Sequence, residues 1–308
     1  MDIAGLNIFV AVMRRGSFAA VARDRNIEPS SVSRAIASLE TELGMRLFQR
    51  TTRKLSPTEA GTAYFERIEP LVEEIAQAGE AVKDAVGQVR GTLRVTASVA
   101  FGLTCIVPLL PSFKGRYPDL DIDLLLTDAV VDLLAERVDL AIRLGVLKDS
   151  SLIAQRLSQV HYRVCASAQY LKAHGSPQTP GEIAAHDCLC FPLAGFRSRW
   201  IFKAADGAVV EVPVKGRTVI SNAIALQQCA ISGMGLALLP DWLVDKDIAE
   251  GRLVAVLKNY AVTATRFDTA AWFVYPSRSY VPLKVSVFID ILRQAMSMPV
   301  IADSLRLA

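Results

Sequence analysis

Between Ser17 and Glu40 the chain reads SFAAVARDRNIEPSSVSRAIASLE. Two short apolar-periodic segments are separated by a break at Asn26–Pro29. Ser17 fits an N-cap, and Phe18, Val21 and Ala22 give a first short helix. Pro29 suits the first turn of a second helix, because its missing N–H has no partner to lose there. Val32, Ile36 and Leu39 follow at i, i+4 and i+7 and share one face. At about 100° per residue, Ser30, Arg34, Ala37 and Ser38 fall on the opposite face. Apart from one long cation, those side chains are short, so the helix backbone can approach a surface closely. Hydroxyls bond phosphates or base edges, and an arginine can grip guanine with two parallel hydrogen bonds. These are the traits of a recognition helix in a helix-turn-helix. A small amphipathic helix with a plain polar face would carry the same spacing.

The next stretch, LFQRTTRKLSPTEAG (Leu47–Gly61), sets Arg50, Arg53 and Lys54 around two threonines, between apolar anchors. A short β-hairpin there would be a basic wing lying on the phosphate backbone or in the minor groove. In order along the chain, GSFAAVA, SSVSRAIASLETELGMRLFQRTTRKLSPTEAG and their spacing resemble the DNA-binding head of the LysR-type transcriptional regulators. The resemblance spans residues 1–61. It implies a winged helix-turn-helix with recognition helix Ser30–Leu43. The DNA-binding residues it implies are Ser17, Pro29, Ser30, Ser31, Ser33, Arg34, Ser38, Arg50, Thr51, Thr52, Arg53 and Lys54. Three positions depart from the family's usual pattern: Glu28 where a Ser or Thr cap is usual, Ala35 in place of Gln, and Ser38 in place of Arg or Lys. These bear on base preference and leave the module intact.

Charge agrees with that division. Residues 1–58 carry nine basic and five acidic side chains, while the rest of the 308-residue chain carries 25 and 26. A basic head on a nearly neutral body points to a polyanion partner for the head alone. Hydrophobic residues make up 52% of the chain and charged ones 21%, which predicts a packed globular protein.

After the wing, Ser56–Glu59 has the S-x-x-E capping-box pattern that starts a helix. Tyr64, Ile68, Leu71, Ile75, Ala78, Val82 and Ala85 recur there with 4-3 spacing, the seam of a coiled coil. A helix of about 30 residues would be roughly 45 Å long, too long for a small head to cover. The resemblance implies a dimerising linker helix over residues 59–90. Pro70 interrupts the seam and should kink or loosen the helix.

Gly87–Gly91 ends that helix, and strands and helices then alternate. LRVTAS, DIDLLLT and VDLAIRLG read as strands, with helices expected near Phe101–Lys114 and Val130–Glu136. HYRVCAS, LALLP and TAAWFVYP are further strands. Pro180–His186 reads as a helical turn, and Ala205–Val212 as a hairpin turning at Asp206–Gly207. Helices are expected from Asn222 and near Pro282–Met296. Alternation of this kind predicts an α/β fold, a mainly parallel sheet with helices on both faces. Length and order resemble the effector domain of the same family, which shares its fold with periplasmic solute-binding proteins. The resemblance implies an effector-binding domain over residues 91–308. One lobe would hold 91–160 and 268–308, the other 161–267, with crossovers near Val160 and Phe267.

In open α/β sheets a ligand lies beyond the carboxyl ends of the strands. Here those ends bring Ser98–Val99, Thr127–Asp128 and Arg143–Gly145 together, and Ser221–Asn222 opens a helix from the other lobe. Helix starts gather free backbone donors and favour an anion such as a carboxylate. The candidate effector residues are Ser98, Val99, Phe101, Thr127, Arg143, Phe196, Arg199 and Asn222. Phe196 and Arg199 enter because the resemblance puts their loop near the cleft. Ser98 and Asn222 would read equally as helix caps, and Arg143 as an ion-pair partner.

Other chemistries find less support. Cys188, Cys190 and His186 lack zinc-ligand spacing, so no metal is expected. Gly233–Gly235 precedes a strand, whereas a nucleotide loop follows one. Three histidines and no nucleophile set argue against an enzyme, and no cofactor is implied. The first residues lack a basic leader region, the five cysteines are odd in number, and no apolar run is long enough for a membrane span. A cytoplasmic protein without a membrane is therefore expected. The resulting expectation is a regulator that binds double-stranded operator DNA. It would answer to a small, anionic organic effector and assemble as a homodimer through the linker helix and a homotetramer through the effector domains. A solute receptor or an α/β enzyme with an accessory head is the rival class.

Overall fold

The computed structural model describes residues 2–50, 55–84, 89–145, 152–193, 195–276 and 281–297. Contacts divide the chain into two units, one built mainly on Met1–Val89 and the other on the chain from Arg90.

In the first unit, α1 (Ile3–Arg15) turns Leu6, Phe9, Val10 and Val12 inward and is capped by the Asp2 carboxylate. The Ser17 hydroxyl caps α2 (Phe18–Asp24), accepting from Ala20 N at 3.3 Å. Pro29 opens α3 (Pro29–Leu43), and Gly44 closes it in the left-handed region that favours glycine. Val32, Ile36 and Leu39 are buried, as the period requires. Strands β1 (Phe48–Arg50) and β2 (Leu55–Pro57) form the antiparallel wing, with Gln49 opposite Ser56. Phe9 is fully buried and meets the rings of Phe48, Tyr64 and Phe65.

Helix α4 (Glu59–Asp84) follows as one 26-residue element that continues through Pro70. At 1.5 Å per residue it is about 39 Å long. The cap expected at Ser56 does not form, because Ser56 is committed to the wing ladder. Thr58 caps instead, its hydroxyl accepting from Gly61 N at 2.9 Å. The expected seam divides. Tyr64 and Ile68 pack into the head core, together with Phe65 and Val72. Leu71 and Ile75 stay about half exposed, at 52% and 47%. Ala85 lies outside the described residues.

The second unit opens with β3 (Gly91–Ala97). A helical run then changes pitch: α5 (Val99–Phe101), a π turn (Gly102–Ile106), a 3₁₀ turn (Val107–Leu109) and α6 (Leu110–Arg116). Pro108 and Pro111 remove amide donors there, so the single helix expected over Phe101–Lys114 is broken up. After β4 (Leu120–Leu126), the helix expected over Val130–Glu136 does not form. Leu133 is the one fully buried side chain of that stretch, and one turn closes with Val138 N on Leu133 O at 2.8 Å. A single turn with one anchor cannot offset the cost of nucleating a helix. Strands β5 (Leu140–Gly145) and β6 (Ile153–Gln159) complete this portion.

Then come β7 (Tyr162–Ala166), α7 (Ala168–His174), a 3₁₀ turn (Pro180–Ala185) and β8 (Cys188–Cys190). Strands β9 (Arg199–Lys203) and β10 (Val209–Pro213) form a hairpin, with Asp206 and Gly207 at its turn. β11 (Thr218–Val219), α8 (Ala223–Ile231), β12 (Leu236–Pro240) and α9 (Asp241–Ala249) follow. The chain ends with β13 (Val254–Val256), β14 (Ala261–Thr263), β15 (Ala270–Tyr275) and α10 (Leu283–Ser297).

Two five-stranded sheets result. The first has the order β4-β3-β5-β15-β6, parallel over its first three strands and antiparallel around β15. The second has the order β11-β8-β12-β7-β13 and is likewise mixed. A smaller antiparallel sheet, β10-β9-β14, stands beside the second. The chain passes between the large sheets at Val160 and again before Ala270. These two passes are bonded to each other, Val160 N to Thr269 O at 3.0 Å.

Candidate nucleic-acid interface and ligand cleft

On α3, Ser30, Arg34 and Ser38 are exposed, opposite the buried Val32, Ile36 and Leu39, while Ser31, Ser33 and Ala37 are half-buried. The Arg34 guanidinium donates to Ser31 Oγ at 3.3 Å, a contact loose enough to exchange for a base or phosphate. Pro29 is exposed at the helix start. Glu28 makes no side-chain cap bond. The Ser17 hydroxyl is already engaged as a cap. Arg50 ends the first wing strand, and Thr51, Thr52, Arg53 and Lys54 lie outside the described residues.

The interface also contains a buried acid. Glu40 is 5% exposed. One of its oxygens accepts from Leu47 N at 2.8 Å and Phe48 N at 3.2 Å, the other from the Arg46 guanidinium at 2.9 Å. Burial alone would raise its pKa, but these hydrogen bonds and the Arg46 charge together hold it below the usual carboxylate range. Sequence reasoning overlooked Glu40, although it lies four residues after Ile36, on the buried stripe.

In the second unit a cavity of about 330 Å³ opens among the ends of the strands. Ser98, Asp128, Leu144 and Gly145 border it from the first sheet, and Val160 and Thr269 from the crossovers. Tyr162, Phe191, Phe196, Ala223 and Trp242 supply the other wall. Phe196 stacks edgewise on Tyr162 and Phe191, with ring centres 5.6 and 6.2 Å apart. Burial pushes the Tyr162 hydroxyl up to about 12, helped by the Asp241 carboxylate, so it remains a neutral donor.

Of the expected effector residues, Ser98 and Phe196 line this cavity and the others do not. Asn222 caps α8, accepting from Ala225 N at 3.1 Å, and its neighbour Ala223 forms the wall. The Thr127 hydroxyl is turned to Ala129 N. Phe101 is fully buried, 5.2 Å from the Trp242 ring. Arg143 is half-buried on β5, where burial lowers its pKa, and Leu144 beside it forms the lining. Arg199 belongs to β9 and pairs with Glu211 at 2.7 Å. The donors expected to grip an anion are also engaged: Val99 N bonds to Asp128 at 3.2 Å, and the Ser98 hydroxyl caps α5. Asp128 lies at the expected end of the second strand, whereas Tyr162, Phe191 and Trp242 were not anticipated. They come from distant parts of the chain and carry no shared local motif.

Cys188 and Cys190 are buried on β8, and burial pushes the Cys188 thiol up to about 12. No single described helix is long and apolar enough to cross a membrane.

A winged helix-turn-helix ahead of a two-sheet domain with a cleft defines a DNA-binding transcriptional regulator carrying a substrate-binding domain. Residues 3–62 match the family described as bacterial regulatory helix-turn-helix protein, lysR family, and residues 87–297 match the LysR substrate binding domain. The chain belongs to the LysR family of transcriptional regulators, whose members are not enzymes. It is 38% identical over 288 residues to the HTH-type transcriptional regulator CrgA of Neisseria meningitidis serogroup C, covering 93% of this chain and 94% of that one. It is 32% identical over 290 residues to the regulator DmlR of Escherichia coli, covering 94% and 92%. Among solved structures, CrgA from Neisseria meningitidis aligns with a TM-score of 0.60 at 34% identity, over 97% of this chain and 100% of that one. The full-length Vibrio cholerae virulence activator AphB aligns with a TM-score of 0.58 at 29% identity, over 95% and 98%.

Proposed function

We propose that this regulator acts in the cytoplasm as a homodimer, and as a tetramer of paired dimers, on a pseudo-palindromic operator. The α3 face reads bases while the wing touches phosphates. Leu71 and Ile75, exposed at i, i+4 on α4, supply the dimer seam. The Ser30–Arg34–Ser38 face carries the DNA reading, because it is the outward face of a helix whose other side is fully committed to the core.

The effector is a small, mainly apolar organic molecule held in the Tyr162–Phe196–Trp242 cavity. A carboxylate there would face Asp128, so the lining favours a neutral ligand over the anionic one expected from the helix starts. Ligand binding shifts the regulator only if one arrangement of the two sheets binds it better than the other. The bonded crossovers at Val160 and Thr269 give such a hinge.

Two measurements test this reading. Mapping of bound DNA across the genome should return a recurrent dyad-symmetric site. A thermal-shift screen should then find neutral aromatic or aliphatic compounds that stabilise the wild-type chain and fail on Ala223→Phe, which fills the cavity. Stabilisation of both proteins by the same compounds would move the site elsewhere.

A further inference from the structure

Three consecutive residues, Arg46, Leu47 and Phe48, lie where the recognition helix, the wing and the linker helix meet. Their donors are taken up on one side by Glu40: two backbone amides at 2.8 and 3.2 Å, and the Arg46 guanidinium at 2.9 Å. Two of their carbonyls, those of Arg46 and Leu47, are taken up on the other side by Thr58. Its hydroxyl donates to Arg46 O at 2.8 Å and to Leu47 O at 3.2 Å, and its amide donates to Leu47 O at 2.9 Å. Glu40 belongs to α3, and Thr58 caps α4. Leu47 is fully buried, so its amide finds no water if the carboxylate is removed.

Side-chain packing already holds the wing to the head, since Leu47 and Phe48 are both in the core. Packing is non-directional, however, and does not by itself fix the rotation of the short β1–β2 ribbon as a unit. Two amides on successive residues that reach one carboxylate oxygen fix that rotation, because they constrain the backbone itself at a bend. An ionised carboxylate suits this role: it accepts only, and it also takes the Arg46 charge.

We propose that Glu40 is a positioning residue for DNA binding, which sets the angle of the wing relative to the recognition helix through the backbone of Leu47 and Phe48. Loss of the carboxylate leaves α3 able to read bases but lets the wing strands stand off the phosphate backbone.

The experiment uses the full-length chain and a fluorescent duplex selected on the wild-type protein from a random-sequence library. Affinity is measured by anisotropy across a salt series, and folding at the assay temperature is checked by circular dichroism and by hydrogen exchange of head peptides. Glu40→Ala is expected to bind about tenfold or more weakly while folded. Its log–log salt slope should fall by about one to two units, from lost phosphate contacts. Glu40→Gln keeps an acceptor for both amides but loses the charge, and should fall between Glu40→Ala and the wild type. A merely structural carboxylate would change melting and leave the affinity and slope of the folded protein untouched. Wild-type affinity and slope in folded Glu40→Ala therefore overturn the proposal. If Glu40→Ala does not fold, folded Glu40→Gln with wild-type affinity and slope overturns it equally. If neither variant folds, the carboxylate belongs to stability and the proposal also fails.

Discussion

The same substitution at two glycines of α4 should have opposite effects. Gly61 is in the first turn, where an added Cβ would stand 3.0 Å from the carbonyl carbon of Leu47 and closer still to its oxygen. The obstacle is backbone, and that oxygen already holds the Thr58 amide at 2.9 Å. Restoring contact distance requires β1 and α4 to part by about 1 Å, with overpacking costs of about 1–3 kcal/mol. The Thr58 hydrogen bonds weaken in the process, at about 1 kcal/mol each. Gly61→Ala should therefore destabilise the head by about 2–4 kcal/mol. In a unit of this size each kcal/mol is about 4–8 °C of melting temperature, so a fall of more than about 10 °C is expected. An added Cβ at Gly79, in the same helix, meets nothing within 4 Å. There Gly79→Ala should stabilise by about 0.5–1 kcal/mol, because alanine loses less backbone freedom. Calorimetry with hydrogen exchange of α1–α3 peptides reads the head. Fluorescence of Trp200, Trp242 and Trp272 reads the second unit, which both variants should leave unchanged. Equal melting of the head in the two variants would refute the reasoning.

Arg34→Ala should weaken binding to the selected operator by about 1–3 kcal/mol and relax preference at one base position, as competition with mutated duplexes would reveal. Replacing Leu71 and Ile75 together with Asp should halve the mass seen by light scattering while the head stays folded. Ile68→Asp, at a site only 8% exposed, should unfold the head instead. Asn222→Leu should cost about 1 kcal/mol through the lost α8 cap yet leave ligand-induced thermal shifts intact, whereas Ala223→Phe should abolish the shifts. The folded pKa of Glu40 is depressed, so its stabilisation is present above the ordinary carboxylate pKa of about 4.3 and is lost as pH falls through the lower folded value. Urea midpoints of the head should decline with acid below about pH 5 in the wild type, and less steeply in Glu40→Gln.

What the sequence made legible was local. The α3 stripe and its polar face obey one helical period, so Val32, Ile36 and Leu39 could be assigned to the core without any long-range knowledge. The caps at Ser17, Ser98 and Asn222 are readable for the same reason. Thr58 was overlooked because Ser56 satisfies the same pattern, and only the strand pairing that occupies Ser56 decides between them. Strand β6 escaped notice because Ile153–Gln159 alternates poorly and its partner, β15, lies more than a hundred residues later. The cleft was legible in outline and not in detail. Topology set the strand ends, but its aromatic wall assembles Tyr162, Phe191, Phe196 and Trp242 from separate segments. The donor at Val99 on which the anion inference drew is occupied, because a helix start attracts whatever acceptor is nearest, and Asp128 from the chain itself is nearest.

The double passage between the large sheets also orders the birth of the molecule. In the first sheet, β15 fills the gap between β5 and β6, yet it is made only after the whole of the second sheet has been synthesised. On the ribosome, β7 to β14 have every partner they need within one continuous stretch, whereas β5 and β6 wait for Ala270–Tyr275 with their inner edges bare. Closing so distant a pairing is slow, and open strand edges invite association with other chains. The nascent protein is therefore most exposed to misassembly between completion of β6 and arrival of β15.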